Sequence, residues 1–202
     1  MHEKIQKNDL SIAILAGGKS SRMNGEDKGL MKLKKQYVIK RIIKIADQFS
    51  NDVIIVANSN IHKYEQFRIP IHSDVMEGYQ GPLSGIYTAL CICKNKYIIV
   101  LPCDGPFISE RYFIDLLNYK TKKSIITVKT GDRLQPVYAR FDKNIKDNLK
   151  NFLKSNERKI DRWYNKCTFD TILYDNNDEM FINFNSHEDI TNNKLLVDKY
   201  YG

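Results

Sequence analysis

A loop rich in glycine and basic residues follows the first apolar segment of the chain, residues 11–15 (SIAIL). The loop spans residues 16–29, and its three cations are Lys19, Arg22 and Lys28. Small residues let a backbone approach a polyphosphate closely and offer it N–H donors, while nearby cations neutralise its charge. The composition of this loop therefore predicts a polyphosphate-binding site.

The loop is neither of the two familiar phosphate-binding motifs. Ala13 stands where a Walker A motif requires its first glycine. The dinucleotide-binding pattern also fails, because Gly17 and Gly18 are adjacent rather than separated by one residue. The phosphate-binding prediction thus depends on the glycines and cations themselves.

A single carboxylate follows a second apolar segment, residues 96–101 (KYIIVL). Asp104 lies between Pro102 and Pro106, in a turn that the prolines make rigid. Mg²⁺ typically takes one or two carboxylates and fills its remaining positions with phosphate oxygens and water. Opposite a basic glycine loop, Asp104 is a candidate Mg²⁺ ligand.

Short β-branched segments alternate with helical patterns and would position these two loops. Strands are predicted at residues 11–15, 52–57, 96–101, 124–128, 137–141 and 181–185. Helices are predicted at residues 37–49, 82–93, 109–118 and 145–153, with Ser109 and Ser186 as helix caps. This alternation predicts an α/β fold with a doubly wound, mainly parallel sheet, which binds ligands at the carboxyl ends of its strands.

Length and charge limit the possible functions. The chain has 202 residues with 32 Lys+Arg and 24 Asp+Glu, a net charge of +8, which favours anionic partners. Scattered surface lysines would explain the charge equally well. We expect one domain over residues 1–202, in the cytoplasm, with no membrane association because there is no long apolar segment. Nucleic acid is not expected as a partner, because no basic face interleaved with aromatic residues is evident.

The four cysteines do not form a metal-binding pattern. Cys91 and Cys93 lack the C-x₂-C spacing of zinc sites, and no second pair exists. We expect these two residues, with Cys103 and Cys167, to be reduced thiols in the core.

Short motifs along nearly the whole chain resemble those of the molybdenum cofactor guanylyltransferases, which belong to the doubly wound, Rossmann-like α/β nucleotidyltransferases. In the first half they are Leu15-Ala16-Gly17-Gly18, Arg22-Met23, Asp27-Lys28-Gly29, Gly81-Pro82-Leu83-Ser84-Gly85 and Pro102-Cys103-Asp104. In the second half they are Gln135-Pro136-Val137-Tyr138-Ala139, Glu157-Arg158-Lys159, Asn183-Phe184-Asn185-Ser186 and Glu188-Asp189-Ile190. Together these motifs are far more specific than any one of them.

The resemblance implies a reaction in which GTP and molybdopterin, usually carrying molybdenum, give the guanine dinucleotide cofactor and pyrophosphate with Mg²⁺. It implies a nucleotide-binding half over residues 1–120 and an acceptor-binding half over residues 121–202. It also allows transient contacts with other proteins of molybdenum cofactor biosynthesis. The attacking phosphate oxygen is already anionic near neutral pH, so no general base is required.

The same resemblance implies roles for individual residues. On the nucleotide side these residues are Leu15, Ala16, Gly17 and Gly18 in the loop, Lys28 at the phosphates, Asp104 at Mg²⁺, and Asn58 and Asp74 at the nucleoside. Asn60 is an alternative to Asn58. Arg22, Lys28 and Asp104 are the implied catalytic residues, and Asn183 and Asn185 are implied to hold the pterin. Tyr79 and Tyr138 could pack against the pterin or be structural.

The choice of base and the role of two further segments stay open at this stage. In the wider family Leu-Ala-Gly-Gly accompanies guanylyl transfer and Leu-Ala-Ala-Gly cytidylyl transfer, so Gly17 favours GTP over CTP. Related enzymes that use CTP or a sugar-phosphate acceptor are the alternative. Residues 156–163 are either a second anion site or a solvated helix, and residues 167–178 contain no recognisable motif.

Overall fold

The polypeptide folds around one seven-stranded β-sheet, seen in a computed structural model that describes residues 5–16, 27–76 and 81–202. In chain order the strands are β1 (Leu10–Leu15), β2 (Lys32–Leu33), β3 (Gln36–Tyr37), β4 (Asp52–Val56), β5 (Ile71–His72), β6 (Tyr97–Pro102), β7 (Ile125–Thr130), β8 (Arg133–Asp142) and β9 (Phe169–Tyr174). Strands β2 and β3 form a separate short hairpin. The other seven make the central sheet.

The order of strands in that sheet is β5-β4-β1-β6-β8-β7-β9. Every neighbouring pair is parallel except those of β8, which runs antiparallel to both β6 and β7. Strand β1 lies between β4 and β6, so the sheet extends from β1 on both sides: to β4 and β5 on one, and to β6 and the later strands on the other. This arrangement opens a crevice at the carboxyl ends of these three strands. The predicted mainly parallel sheet is confirmed.

Helices cover both faces of the sheet. They are α1 (Val38–Phe49), α2 (Ile61–Tyr64), α3 (Pro82–Ile92), α4 (Glu110–Asn118), α5 (Lys146–Lys154), α6 (Ile160–Tyr164), α7 (His187–Asn192) and α8 (Lys194–Tyr201). Side chains of α1, α4 and α8 share one apolar cluster with Ile12 and Ile14 of β1. Those of α3, α5 and α6 share another with Ala13. Because successive side chains of a strand point to opposite faces, β1 contributes to both cores, and the doubly wound prediction is confirmed.

Local sequence explains where the main helices begin. Helix α3 starts at Pro82, whose ring suits the first helical position. The preceding Gly81 has φ +69°, a conformation that glycine adopts without strain. Ser186 caps α7 as predicted, since its hydroxyl accepts a hydrogen bond from the Asp189 backbone N–H at 3.3 Å. Ser109 precedes α4 as predicted, but its hydroxyl contacts the Met180 sulfur at 2.8 Å instead of the backbone.

Two segments of the C-terminal third differ from the sequence interpretation. Residues 167–178, in which we found no motif, contain β9, which pairs with β7 at the sheet edge. The predicted strand at 181–185 is wrong. Its first residue ends a 3₁₀ turn, Glu179–Phe181, and residues 182–185 join no sheet. Instead the Phe184 N–H donates to the Asp104 carbonyl oxygen at 2.9 Å, so this extended segment packs at the end of β6.

The four cysteines are free thiols, as predicted, with Cys93 and Cys103 buried and Cys91 and Cys167 partly buried. Across residues 5–16, 27–76 and 81–202, the helices are all too short or too polar to span a bilayer.

Trp163 is a large buried side chain in the apolar cluster that α3, α5 and α6 share. The indole is fully buried, lies 6.0 Å from the Phe141 ring of β8 and donates to the Asn148 side chain at 2.9 Å. We expect Trp163→Ala to lower the free energy of unfolding by about 3–5 kcal/mol, because it leaves a large cavity. Urea denaturation measures this loss. Leu195→Ala, at a side chain 85% exposed, is the control and should change stability by less than about 0.5 kcal/mol. Equal losses in the two variants would contradict the assigned packing.

Candidate active site

A cavity of about 320 Å³ lies at the carboxyl ends of β1, β4 and β6, where the sheet topology places a ligand site. Its described lining comes from seven separate parts of the chain: Leu15, Ala16, Lys28, Val56, Asn58, Asp74, Gly81, Pro82, Gly85, Pro102, Cys103, Asp104 and Val137. Six residues implied by the sequence resemblance are therefore brought together here, namely Leu15, Ala16, Lys28, Asn58, Asp74 and Asp104. Gly17, Gly18, Lys19 and Arg22 lie outside the described residues.

Asp104 lies two residues after the end of β6 and has an unusual environment. Its Oδ1 atom is buried and accepts no hydrogen bond from the described residues, while Oδ2 lies 3.6 Å from the Lys28 Nζ atom. Burial raises the pKa of the Asp104 carboxyl above its usual value, and the Lys28 amine only partly opposes this shift. A buried carboxylate oxygen without a donor is costly unless a cation faces it. The carboxylate is thus arranged to receive a positive charge.

Lys28 connects the two sides of the site. Besides facing Asp104, its amine donates a hydrogen bond to the Asn185 side-chain oxygen. The residue begins a 3₁₀ turn, Lys28–Leu30, which Asp27 caps by accepting from the Gly29 N–H at 3.0 Å. One amine therefore joins the candidate metal ligand to a residue of the predicted acceptor-binding half.

Asn58 and Asp74 hold each other through two hydrogen bonds. The Asn58 amide donates to Asp74 Oδ2, and its oxygen accepts from the Asp74 backbone N–H, both at 2.8 Å. Thr88 of α3 supports the same segment, because its hydroxyl accepts from the Val75 N–H at 3.0 Å. Asn60, the alternative, instead donates to Asp27 at 3.1 Å. Asn58 is therefore the one of the two that lines the cavity.

Asn183 and Asn185 lie beside the cavity rather than in its lining. Asn183 accepts a hydrogen bond from the Tyr138 hydroxyl at 2.7 Å. That hydroxyl lies so close to Gly105 that a Cβ there would approach it to 2.3 Å. Asn185 is held through its backbone N–H, which donates to Asp189 Oδ2 at 2.6 Å. Both amides are thus fixed near Asp104 by residues that also shape the loops around it.

Tyr138 has a structural place. Its ring is 2% exposed and packs edge-on against Tyr112 and Phe181, so it presents no open face to a ligand. Of the two roles considered for Tyr138, packing against the pterin or a structural role, its burial favours the structural one. Tyr79, the other tyrosine considered, lies outside the described residues.

The contacts of the basic residues at 156–163 favour a solvated helix over a second anion site. The Arg158 guanidinium donates to the Leu153 and Glu157 carbonyl oxygens at 2.7 Å, and Arg162 pairs with the Glu157 carboxylate at 2.7 Å. None of these side chains lines the cavity. These arginines stabilise the end of α5 and the start of α6 instead of converging on a second anion site.

The sequence interpretation missed Tyr64, Thr88 and Val137 as parts of this site or its support. Val137 reaches the cavity because β8 lies next to β6. Tyr64 and Thr88 support the site from outside the cavity. The Tyr64 hydroxyl donates to Asp27, and the Thr88 hydroxyl accepts from the Val75 N–H in the segment after β5. Only the spacing of Tyr64 four residues after Asn60 could have indicated a shared helix face; the other two depend on tertiary packing.

The donor set suits Mg²⁺ better than a transition metal. Among the described residues, no three His, Cys, Asp or Glu side chains come together, so a site built wholly of protein ligands is absent there. One carboxylate with an unpartnered oxygen matches Mg²⁺, which completes its coordination with phosphate oxygens and water. Asp104 therefore fits a metal that arrives with a nucleotide.

The burial of the Asp104 charge has a measurable cost. Because burial disfavours the charged form of this carboxyl relative to water, we expect Asp104→Asn to melt at the same temperature as the parent chain or higher. Asp170→Asn is the matched control, because hydrogen bonds from Lys123 and Thr121 lower the pKa of Asp170 and its charge is favoured. That control should melt lower. Thermal denaturation without nucleotide or Mg²⁺ tests both, and a clear drop for Asp104→Asn alone would contradict the assignment.

Comparison with known proteins agrees with this geometry. Residues 12–168 match the model of the MobA-like NTP transferase domain. The molybdenum cofactor guanylyltransferase of Shewanella sediminis is 35% identical over 89% of this chain and 92% of its own length. The enzyme of the same name from Vibrio cholerae is 34% identical over 92% of each chain.

A solved structure shows the same fold. The molybdopterin-guanine dinucleotide biosynthesis protein A of Archaeoglobus fulgidus superposes with a TM-score of 0.79 at 20% identity, over 94% of this chain and 99% of that one. The motifs, the position of the cavity and the full-length relatives all agree. This chain is a nucleotidyltransferase and belongs to the molybdenum cofactor guanylyltransferase family.

Proposed function

We propose that this protein transfers GMP from GTP to the terminal phosphate of molybdopterin, with or without molybdenum, and releases pyrophosphate. The observation that carries the proposal is that Lys28 faces the Asp104 carboxylate in the strand-end cavity, while the other oxygen of that carboxylate has no hydrogen-bond partner among the described residues. Relatives named molybdenum cofactor guanylyltransferase, similar over most of the chain, support the choice of GMP as the group transferred.

The main barrier to this reaction is electrostatic. The attacking oxygen of molybdopterin and the α-phosphate of GTP are both anionic, so the site has to neutralise charge rather than remove a proton. Lys28 places a cation at the phosphates and stabilises the charge that grows on the leaving pyrophosphate. Asp104 would hold Mg²⁺, whose chemistry when bound is to neutralise and polarise phosphate oxygens. Arg22 is proposed as a further cation of the same loop.

The nucleoside side of the cavity is assigned to the ends of β1 and β4. Leu15 and Ala16, followed by Gly17 and Gly18, would line the guanine and ribose, and Asn58 and Asp74 would contact the nucleoside. The mutual hydrogen bonds of this Asn–Asp pair keep both groups in place before GTP binds. Such preorganisation reduces the entropy lost on binding.

The acceptor side is assigned to Asn183 and Asn185. A lysine amine can only donate, so the Asn185 oxygen faces Lys28, and among the described residues no acceptor takes its NH₂ group. The Tyr138 hydroxyl likewise occupies the Asn183 oxygen. Both amides would therefore offer N–H donors to the anionic oxygens of molybdopterin. The acceptor would then lie against residues 121–202 and GTP against residues 1–120, within one domain.

The direct test is an assay with molybdopterin, Mg²⁺ and each of the four nucleoside triphosphates, in which pyrophosphate release and the dinucleotide product are measured. We expect product with GTP alone. Product with CTP instead would favour the cytidylyl alternative, and no product with any nucleotide would contradict the proposal. Cytoplasmic residence and transient contacts with other proteins of molybdenum cofactor biosynthesis stay predictions.

Substitution of the two charged residues should separate chemistry from folding. We expect Asp104→Asn to lose at least about 100-fold in kcat for GMP transfer, the scale of removing one electrostatic stabiliser. Lys28→Met should lose a similar factor, since it removes the amine but keeps the length of the side chain. Both variants should retain the fold by circular dichroism. Near-normal turnover of Asp104→Asn in Mg²⁺ would overturn the metal assignment.

A further inference from the structure

Asp27, the residue before Lys28, is held by three hydrogen bonds from different parts of the chain. Its Oδ1 accepts from the Tyr64 hydroxyl at 2.7 Å and from the Gly29 N–H at 3.0 Å. Its Oδ2 accepts from the Asn60 amide at 3.1 Å. The two side-chain donors come from the segment after β4, so Asp27 ties the turn that carries Lys28 to the neighbouring strand of the sheet.

Tyr64 reaches Asp27 from a fully buried position in the core. A Cβ at position 29 would lie 2.2 Å from the Tyr64 hydroxyl oxygen and 3.2 Å from the Ala16 Cβ. The close approach of this hydroxyl therefore requires glycine at position 29. Burial also raises the pKa of Tyr64, which keeps its hydroxyl protonated and able to donate.

Asn60 makes its contact from a left-handed backbone. Its φ is +52°, in a region that asparagine adopts more readily than most other residues with a side chain. It stands at the N-cap position of α2, yet its side chain does not cap that helix. The amide is directed to Asp27 instead, so this backbone conformation accompanies the contact with the Lys28 turn.

We propose that Tyr64 and Asn60 are positioning residues that act through Asp27 to hold Lys28 between Asp104 and Asn185. The inference rests on the proposed function, because it assigns Lys28 a role at the phosphates. A lysine side chain has four rotatable bonds, so the position of its amine depends on how firmly its backbone is held. Because Tyr64 and Asn60 hold the turn through Asp27, they limit the positions that the Lys28 amine can take near the reacting phosphates.

Tyr64→Phe tests this role, because it deletes the hydroxyl and keeps the ring in the core. We expect kcat for GMP transfer to fall roughly 10- to 100-fold, the scale of misplacing a catalytic group, with a smaller change in the KM for GTP. Tyr174→Phe is the matched control. Tyr174 is also buried and donates to a carboxylate, Asp115, at 2.6 Å, but its ring packs on Phe181 and it is not among the described residues that line the cavity. That control should keep the parent kcat.

A double-substitution cycle separates positioning from a general structural effect. If Tyr64 acts through Lys28, Tyr64→Phe should cause little further loss of activity in a Lys28→Met background. A loss of the same factor in both backgrounds would overturn the proposal, as would an unchanged kcat in Tyr64→Phe alone. Should Tyr64→Phe not fold, Asn60→Gly carries the same test, since glycine tolerates the positive φ and removes only the amide.

The stabilisation of the fold by GTP can be measured without GMP transfer, so it tests this inference separately from the proposed function. GTP with Mg²⁺ should raise the melting temperature of the parent chain and of Tyr174→Phe, and should raise that of Tyr64→Phe less. If the parent chain binds GTP but transfers no GMP, the proposed function fails and this shift still tests the role of Tyr64. In that case, equal shifts in all three proteins would overturn the positioning role alone.

Discussion

The arrangement of this site depends on a buried carboxylate that lacks a full complement of partners. Within the part of the chain that the structure describes, Asp104 has one oxygen near the Lys28 amine and another with no hydrogen bond. A buried carboxylate of this kind lowers the stability of a fold unless a cation faces it. Its position at the end of β6 therefore favours the binding of a cation at the expense of stability. The surrounding loops converge on it: Lys28 from one side, Phe184 on its backbone carbonyl, and the amides of Asn183 and Asn185 close by.

The two halves of the chain meet at this carboxylate. Residues 182–185 form no strand, and their extended backbone instead carries two asparagines to the end of β6. Tyr138 and Asp189 then orient those asparagines, one by its hydroxyl and the other by its carboxylate. The proposed reaction requires two anionic substrates to be held against the same cations, and the Lys28 amine contacts both Asp104 and Asn185, which are proposed for the two sides.

Much of the fold was predictable because it depends on local patterns. The apolar segments at 11–15 and 96–101 form mostly buried strands. The spacing of Val38, Ile42, Ile45 and Phe49 predicted α1, and the first three of these side chains are buried. Strand β9 was not predictable, since an edge strand is only partly buried and shows no clear alternation. The 181–185 segment was misjudged because its apolar residues pack on the site rather than pair with a neighbouring strand.

The sequence by itself determined that the chain is a candidate for phosphate chemistry: a glycine loop with cations and a lone aspartate after a strand predict a phosphate ligand and a hard metal ion. Residue type and order along the chain are sufficient for that conclusion. Only the tertiary structure decided which polar groups face the cavity. Asn58 and Asn60 are indistinguishable in the sequence, yet one lines the cavity and the other supports Asp27. The reason is that a side chain's direction is set by the backbone at its own position and by neighbours distant in the chain, here Asp74, Asp27 and Tyr64.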